Sequence, residues 1–206
     1  MPMLRNVAAF AVMVASPALA ESGPSFNCGK AGSSAETLIC NDPELARLDR
    51  LVSDRYAAAL EVVRELASGA SETEEELRAL QRGWIKGRDE CWKAADPSEC
   101  IRAAYLRREG ELVAQWLLKE PSGVVFWTCD GNPANEVVTF FFDTETPSVR
   151  FERGDTIDTG SLVATASGSE YEGSFGRSIW IKGDHATYRE ADPAAQTYSC
   201  VLANQK

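Results

Sequence analysis

The chain has 206 residues, with 31 acidic and 21 basic side chains, and therefore a formal net charge of −10 at pH 7. A protein this acidic is a poor nucleic-acid binder, because the phosphate backbone repels it. The same charge suits a cationic protein partner, although solubility alone is an alternative explanation of it.

The first 20 residues are predicted to form a secretory signal peptide. Arg5 supplies a positive charge, residues 7–14 form a short apolar run, and Ala18-Leu19-Ala20 is a cleavage site before Glu21. The run is too short for a transmembrane helix, and the residue directly after the cleavage site is Glu21 and not a cysteine that could carry a lipid, so we expect no membrane anchor. The mature protein is therefore expected in the periplasm or outside the cell.

Six cysteines follow the predicted signal peptide, and an even number in an exported chain indicates three disulfides. They are Cys28, Cys40, Cys91, Cys100, Cys129 and Cys200. We expect neither a metal site nor a cofactor, because Cys91 and Cys100 are too far apart for a zinc knuckle and the single histidine is distant in sequence. Four cysteines followed by two suggest two units.

Residues 21–120 are predicted to form a helical domain, either a helical hairpin or three helices. Asp42-Pro43 is an N-cap followed by proline at the first helical position, and apolar residues then recur at steps of three and four. Ser71-x-x-Glu74 is a capping box for a second helix, and Asp96-Pro97 opens a third. Because the connections are short, neighbouring helices should pack antiparallel.

Residues 121–206 are predicted to form a small β-domain, because the apolar period changes to two after Pro121. The predicted strand runs are 124–129, 136–142, the surroundings of Val149 and Phe151, 160–165, 177–182, 186–189 and 197–202. Turn formers separate them, which is typical of an antiparallel barrel or sandwich. The expected fold class is therefore α+β in separate modules.

The positions of the cysteines suit these modules. About 80 residues make a small core, so a disulfide that joins the first strand to the last, Cys129 to Cys200, would stabilise a barrel. The other four cysteines allow three pairings. We favour Cys28–Cys40 and Cys91–Cys100, which close short loops. Cys40–Cys91 is a competitor, since the start of the first helix lies near the end of the second in an antiparallel hairpin.

A small hydroxyl and a lysine lie on neighbouring turns of the predicted barrel, in Ser167-Gly168, Tyr171 and Trp180-Ile181-Lys182-Gly183. This stretch resembles the signature of the periplasmic and membrane-bound inhibitors of c-type lysozyme, the MliC/PliC family. The resemblance covers roughly residues 123–203. It implies a barrel closed by Cys129–Cys200 and a c-type lysozyme, typically a cationic protein, as partner. In that family the serine and the lysine enter the enzyme's active site. The resemblance therefore assigns lysozyme binding to Ser167, Gly168, Tyr171, Lys182 and Gly183.

These residue types suit a cleft that works with two carboxyl groups. A retaining glycosidase such as lysozyme uses one protonated and one ionised carboxyl group. An inserted ammonium can pair with the ionised group, and a hydroxyl can bond to either. Gly168 and Gly183 would let tight turns carry Ser167 and Lys182 outward.

Three neighbouring residues have two possible roles each. We expect Tyr171 and Trp180 to pack in the barrel, with contact at the enzyme's rim as the alternative. Glu170 departs from the family, whose members often carry a basic residue there; it would either repel an acidic cleft or meet a basic rim. His185, the only histidine, is expected to be an ordinary exposed hairpin residue, with a pH-sensitive contact as the alternative.

The helical part carries a second resemblance. Its features are Cys28, Ile39-Cys40-x-Asp42-Pro43 and Gln81-Arg82-x-Trp84-Ile85-x-x-Arg88-Asp89-x-Cys91. They resemble the LprI-like N-terminal domain, a small secreted bacterial module, some members of which inhibit lysozyme. The match covers roughly residues 24–118. Arg88, Asp89 and Asp49 are expected to form buried or half-buried ion pairs that set the helix register, with a binding role of Arg88 as the alternative.

The leading hypothesis is a periplasmic or secreted inhibitor that blocks the cleft of c-type lysozyme with the loops of Ser167 and Lys182. The alternative is a non-inhibitory module that binds the cell envelope or peptidoglycan, with Trp92, Trp116 and Trp127 stacking on sugars. We expect no enzyme, because the sequence has no nucleophile with a paired base and no Gly-rich phosphate loop.

Overall fold

Residues 23–203 are described in a computed structural model of the chain. The predicted signal peptide lies outside these residues. No helix among them is both long and apolar enough to cross a membrane.

Helices make up the N-terminal part of the described chain. They are α1 (Ser34–Asn41), α2 (Pro43–Arg64), α3 (Ala70–Asp89) and α4 (Pro97–Trp116). Asp42 and Asp96 cap α2 and α4 as predicted, each accepting from backbone N–H groups two or three residues later. The predicted capping box at Ser71 is wrong, because the N-cap of α3 is Gly69, two residues earlier, and no side chain caps this helix. The sequence prediction also lacks α1, whose eight residues are too few to show a clear period.

A buried polar chain ties three parts of the helical domain together. The Arg88 guanidinium donates to the Tyr105 hydroxyl at 2.9 Å, and this hydroxyl donates to Asp49 at 2.8 Å. Burial raises the pKa of Tyr105 well above its usual value, so the hydroxyl stays protonated and can donate. Asp49 also accepts from the backbone N–H and the hydroxyl of Ser25, both at 2.6 Å.

These contacts confirm the structural role predicted for the charged residues. Arg88 pairs with Asp89 at 2.7 Å and lies 3.7 Å from Asp49, and its side chain is 4% exposed. A side chain so deeply enclosed is not available to a partner. The binding role considered for Arg88 is therefore not supported by its position.

Eight strands form a closed antiparallel barrel in simple sequence order. The strands are β1 (Gly123–Cys129), β2 (Glu136–Phe142), β3 (Ser148–Arg153), β4 (Thr156–Val163), β5 (Ser169–Glu172), β6 (Ser178–Lys182), β7 (His185–Arg189) and β8 (Thr197–Leu202). The predicted fold class, helices followed by a small barrel, is confirmed. β5 is absent from the predicted runs because only four residues form it, and two of them are glutamates.

Disulfides fix both modules. Cys28–Cys40 and Cys91–Cys100 are the favoured pairs, and Cys129–Cys200 is the predicted closure of the barrel. Cys129 and Cys200 are also register partners on β1 and β8, so this bond crosslinks the seam where the barrel closes. Among residues 23–203 no cysteine is free.

Helix α4 packs directly on the barrel wall. Its Val113 and Ala114 form a buried cluster with Phe142 of β2. Gly110 faces Ser148 of β3 so closely that a Cβ on residue 110 would lie 2.9 Å from the Ser148 Cβ. A glycine at this point therefore permits the close approach of helix and sheet.

Polar contacts complete the junction between the modules. Glu109 of α4 is 1% exposed and accepts from the backbone N–H of Glu145 at 2.9 Å. Arg47 of α2 forms two bonds with the Glu145 carboxylate, at 2.9 and 3.1 Å. Arg150 of β3 donates to the Gln115 carbonyl at 2.7 Å. The connection between β2 and β3 is thus clamped by the helical part.

Substitution of Asp49 should destabilise the helical domain strongly. Asp49→Ala leaves the buried Tyr105 hydroxyl without its acceptor and removes one of the two carboxylates beside Arg88, and a buried donor left unpaired costs about 1–3 kcal/mol. The measurement is the free energy of unfolding in urea. Asp54→Ala, on the exposed face of the same helix, is the matched control and should change it by less than about 0.5 kcal/mol. Equal effects of the two variants would contradict the role given to Asp49.

Removal of the barrel disulfide should cost more than removal of a short one. Cys129–Cys200 spans 71 residues and Cys91–Cys100 spans 9. Loop-closure entropy then predicts losses of about 4 and about 3 kcal/mol for the two double alanine variants. Urea unfolding of both variants checks the order. A larger loss for the Cys91–Cys100 variant would show that closure entropy does not govern the barrel.

Candidate functional site

The candidate site lies at one end of the barrel. In a barrel whose strands follow each other antiparallel, alternate connections emerge at the same end. The β4–β5 connection, residues 164–168, and the β6–β7 turn, Gly183-Asp184, therefore lie at one end. The β4–β5 connection carries Ser167, and Lys182 is the residue directly before the β6–β7 turn. The topology therefore places the two predicted residues at the same end of the barrel.

The loop of Ser167 lies directly on strand β6. Ser167 is exposed, and its carbonyl accepts the indole N–H of Trp180 at 2.8 Å. Gly168 has a φ of +74°, and a Cβ there would clash with the Ile181 carbonyl oxygen. No other residue fits this contact without displacing the loop, so Gly168 fixes the backbone of the loop next to Ser167.

Lys182 ends strand β6 beside this loop. It pairs in register with His185 across the two-residue turn, whose first residue, Gly183, has a φ of +59°. The Lys182 ammonium lies 3.6 Å from the centroid of the Trp180 ring, which is a cation–π contact. Trp180 thus contacts both predicted residues, the Ser167 carbonyl through its N–H and the Lys182 ammonium through its ring.

Lys182 differs from the other basic residues of the barrel. Residues 123–203 contain twelve acidic and five basic side chains. The four arginines, Arg150, Arg153, Arg177 and Arg189, each pair with a carboxylate. Lys182 is exposed and makes no ion pair within the described residues. It is therefore the one barrel cation whose charge stays available to a partner.

Tyr171 and Trp180 lie on opposite faces of the sheet. Tyr171 is 9% exposed, and its ring centroid lies 5.3 Å from that of Phe141 inside the barrel. Burial and the negative charge of Asp143 raise the pKa of Tyr171. The expected packing role is thus correct for Tyr171, which supports the site from within instead of presenting its ring to a partner.

For Trp180 the expected packing role is wrong. Its neighbours Ile179 and Ile181 both contact the barrel core, so strand alternation places Trp180 on the outer face, where it is half-buried. The sequence does contain this signal, in the isoleucines that flank the tryptophan. Its contacts with Ser167 and Lys182 make Trp180 a site residue that the sequence reasoning assigned to the core.

The sequence also suggested His185 and three further tryptophans as candidate binding residues. His185 is exposed, and its side chain makes no hydrogen bond within the described residues. Trp92 is 60% exposed, Trp116 is half-buried, and Trp127 is buried with its N–H bonded to Thr139. The three tryptophans therefore do not form a common sugar platform. Among residues 23–203, no group of three or more His, Cys, Asp or Glu side chains is arranged to hold a metal ion.

Comparison with protein families matches both modules. Residues 127–195 match the family model described as membrane-bound lysozyme-inhibitor of c-type lysozyme, MliC, and this segment includes Ser167, Trp180 and Lys182. Residues 27–112 match the family model of lysozyme inhibitor LprI. No curated protein matches the chain. The chain therefore joins a segment that matches the LprI family to a barrel that matches the MliC family, both of them families of lysozyme inhibitors.

Proposed function

We propose that the protein inhibits c-type lysozyme by inserting Ser167 and Lys182 into the active-site cleft of the enzyme. The observation that carries this proposal is the position of Lys182. It is the unpaired cation of an acidic barrel, and it stands beside an exposed hydroxyl on a neighbouring loop. Occupancy of the cleft excludes the sugar chain, so inhibition requires no reaction.

The chemistry of the cleft matches these two groups. Retaining glycosidases hold two carboxyl groups about 5 Å apart, one of them ionised and one protonated. The Lys182 ammonium can pair with the ionised group, and the Ser167 hydroxyl can donate to one carboxyl group or accept from the other. Both contacts are shielded from water inside a cleft, and this strengthens them relative to surface ion pairs, although dehydration of the lysine opposes binding.

The site is ordered before binding, and this favours affinity. Each flexible side chain that becomes immobile on association costs about 0.5–1.5 kcal/mol. The Ser167 carbonyl is already fixed by Trp180, and the lysine already lies over the same ring. A smaller entropic cost therefore remains for the encounter with the enzyme.

The proposed function agrees with an exported protein. Lysozyme acts on the cell wall, so its inhibitor must reach the periplasm or the cell surface. Three disulfides are typical of such oxidising compartments. We therefore propose that residues 1–20 direct export and that the mature chain acts in the periplasm or outside the cell.

Truncation of Lys182 should abolish most of the inhibition. Lys182→Ala removes the charge that faces the ionised carboxylate, and loss of one partner of a buried pair costs about 2–5 kcal/mol of binding. Ser167→Ala should weaken inhibition less, because it removes a neutral hydrogen bond worth about 0.5–1.5 kcal/mol. The measurement is lysis of a cell-wall suspension by a c-type lysozyme, titrated with the protein.

Lys86→Ala is the matched control. Lys86 is an exposed lysine of α3, remote in sequence from the barrel, and makes no ion pair within the described residues. It should inhibit like the parent. If the Ser167 and Lys182 variants fold normally and also inhibit like the parent, the proposed mechanism is wrong.

Loss of the Trp180 N–H should weaken inhibition without unfolding the barrel. Trp180→Phe keeps an aromatic ring near Lys182 but frees the Ser167 carbonyl, so the loop loses one hydrogen bond of about 1 kcal/mol. We expect an inhibition constant about fivefold higher and an unchanged circular dichroism spectrum. Full potency of this variant would show that the bond does not hold the loop in its binding conformation.

A further inference from the structure

A cleft runs between the two modules beside the proposed lysozyme site. It has a volume of about 440 Å³ and lies between α4 and the outer face of β4 and β5. Its helical wall includes Glu99, Ala103 and Arg107, and its barrel wall includes Val163 and Glu172. We call it the interdomain cleft.

The interdomain cleft lies two strands away from Trp180 of the proposed site. Val163 pairs in register with Glu170, and Glu170 pairs with Trp180. Because the Tyr171 side chain points into the barrel, its neighbours Glu170 and Glu172 point outward on the same face as Trp180. Neighbouring strands are about 4.8 Å apart, so the cleft begins about 10 Å from the tryptophan under Lys182.

The size of a protein interface requires contacts beyond the two loops. A stable complex buries about 800 Å² on each partner, far more than a serine and a lysine present. An enzyme that is held at Ser167 and Lys182 must therefore cover neighbouring surface. Trp180 belongs to a row of residues that are register partners on neighbouring strands. On one side this row continues to Thr187 of β7 and Ser199 of β8, which are uncharged. On the other side it leads to the interdomain cleft.

The acidic side chains of the interdomain cleft favour a basic partner. Carboxylates outnumber bases, with Glu99, Glu111 and Glu172 against Arg107. Glu99 and Glu111 are partly neutralised by arginines of the same helix, at 3.4 and 3.1 Å. Glu172, Glu170 beside it and Arg107 make no ion pair within residues 23–203, so the unpaired charges in and beside the cleft sum to −1 and favour a basic surface.

We propose that the interdomain cleft receives basic side chains from the rim of the same lysozyme molecule that Ser167 and Lys182 engage. This inference rests on the proposed function. It gives the helical module a direct part in recognition, through the exposed face of α4. It also gives Glu170, which departs from the family pattern, a favourable partner in place of a repulsive one.

Two single variants test this inference, and each introduces one arginine on a different helix. Ala103→Arg fills the helical wall of the interdomain cleft with a bulky cation, which repels a basic rim. Ala79→Arg is the matched control, because Ala79 is an exposed alanine of α3 that does not line this cleft. Affinity for a cationic c-type lysozyme is measured by calorimetry, with the mature full-length protein at low and at physiological salt.

Ala103→Arg should raise the Kd at least about tenfold, and the effect should shrink as salt rises, whereas Ala79→Arg should leave the Kd within about twofold. Equal weakening by both arginines would overturn the inference, since it would reflect overall charge. Parent-like affinity of Ala103→Arg, with weak binding of Lys182→Ala, would also overturn it while the proposed function stands. A parent protein that binds no lysozyme would overturn the proposed function itself, before any variant is compared.

Discussion

Closure of the eight-stranded barrel is the constraint on which the site depends. β1 and β8 pair at the seam, and the Cys129–Cys200 disulfide crosslinks them. A closed sheet has no free edge, so the register of every strand is fixed by both neighbours. This fixed register places the β4–β5 loop and the β6–β7 turn at one end. It also decides which side chains face inward. Tyr171 becomes part of the core, and Trp180 becomes the outer support of Ser167 and Lys182.

The pairing of charged side chains distinguishes those that hold the structure together from those that are available to a partner. The arginines of the barrel pair with carboxylates, and Arg88 of the helical domain is enclosed by Asp49, Asp89 and Tyr105. Such pairs fix geometry more than they add stability. Lys182 has a ring beneath it but no carboxylate. Its cation–π contact orients the ammonium without neutralising it, which leaves the charge for a carboxylate of a partner.

The sequence predicted those features that depend on local chemistry. Asp42-Pro43 and Asp96-Pro97 specify helix starts through capping and a fixed φ, and these starts are confirmed. Spacing alone left the pairing of four cysteines open, and the shorter loops proved to be the correct choice. The glycines after Ser167 and Lys182 have the positive φ that tight turns require.

Features that depend on tertiary contacts could not be predicted from the sequence. The capping box at Ser71 fits its motif, but α3 starts earlier because the preceding turn ends at Gly69. Docking of α4 on the barrel depends on Gly110 facing Ser148 and on Glu145 bonding to Glu109 and Arg47, and these residues are distant in sequence. The interdomain cleft follows from that docking, so no motif could have indicated it.

Competition for the enzyme's cleft tests the central claim most directly. A short cell-wall oligosaccharide that fills the cleft of c-type lysozyme is added at increasing concentration while binding of the protein to the enzyme is measured at equilibrium. If Ser167 and Lys182 occupy the cleft, the two ligands exclude each other, and the apparent Kd of the protein rises in proportion to the saccharide concentration. Formation of a ternary complex with unchanged affinity would contradict occupancy of the cleft.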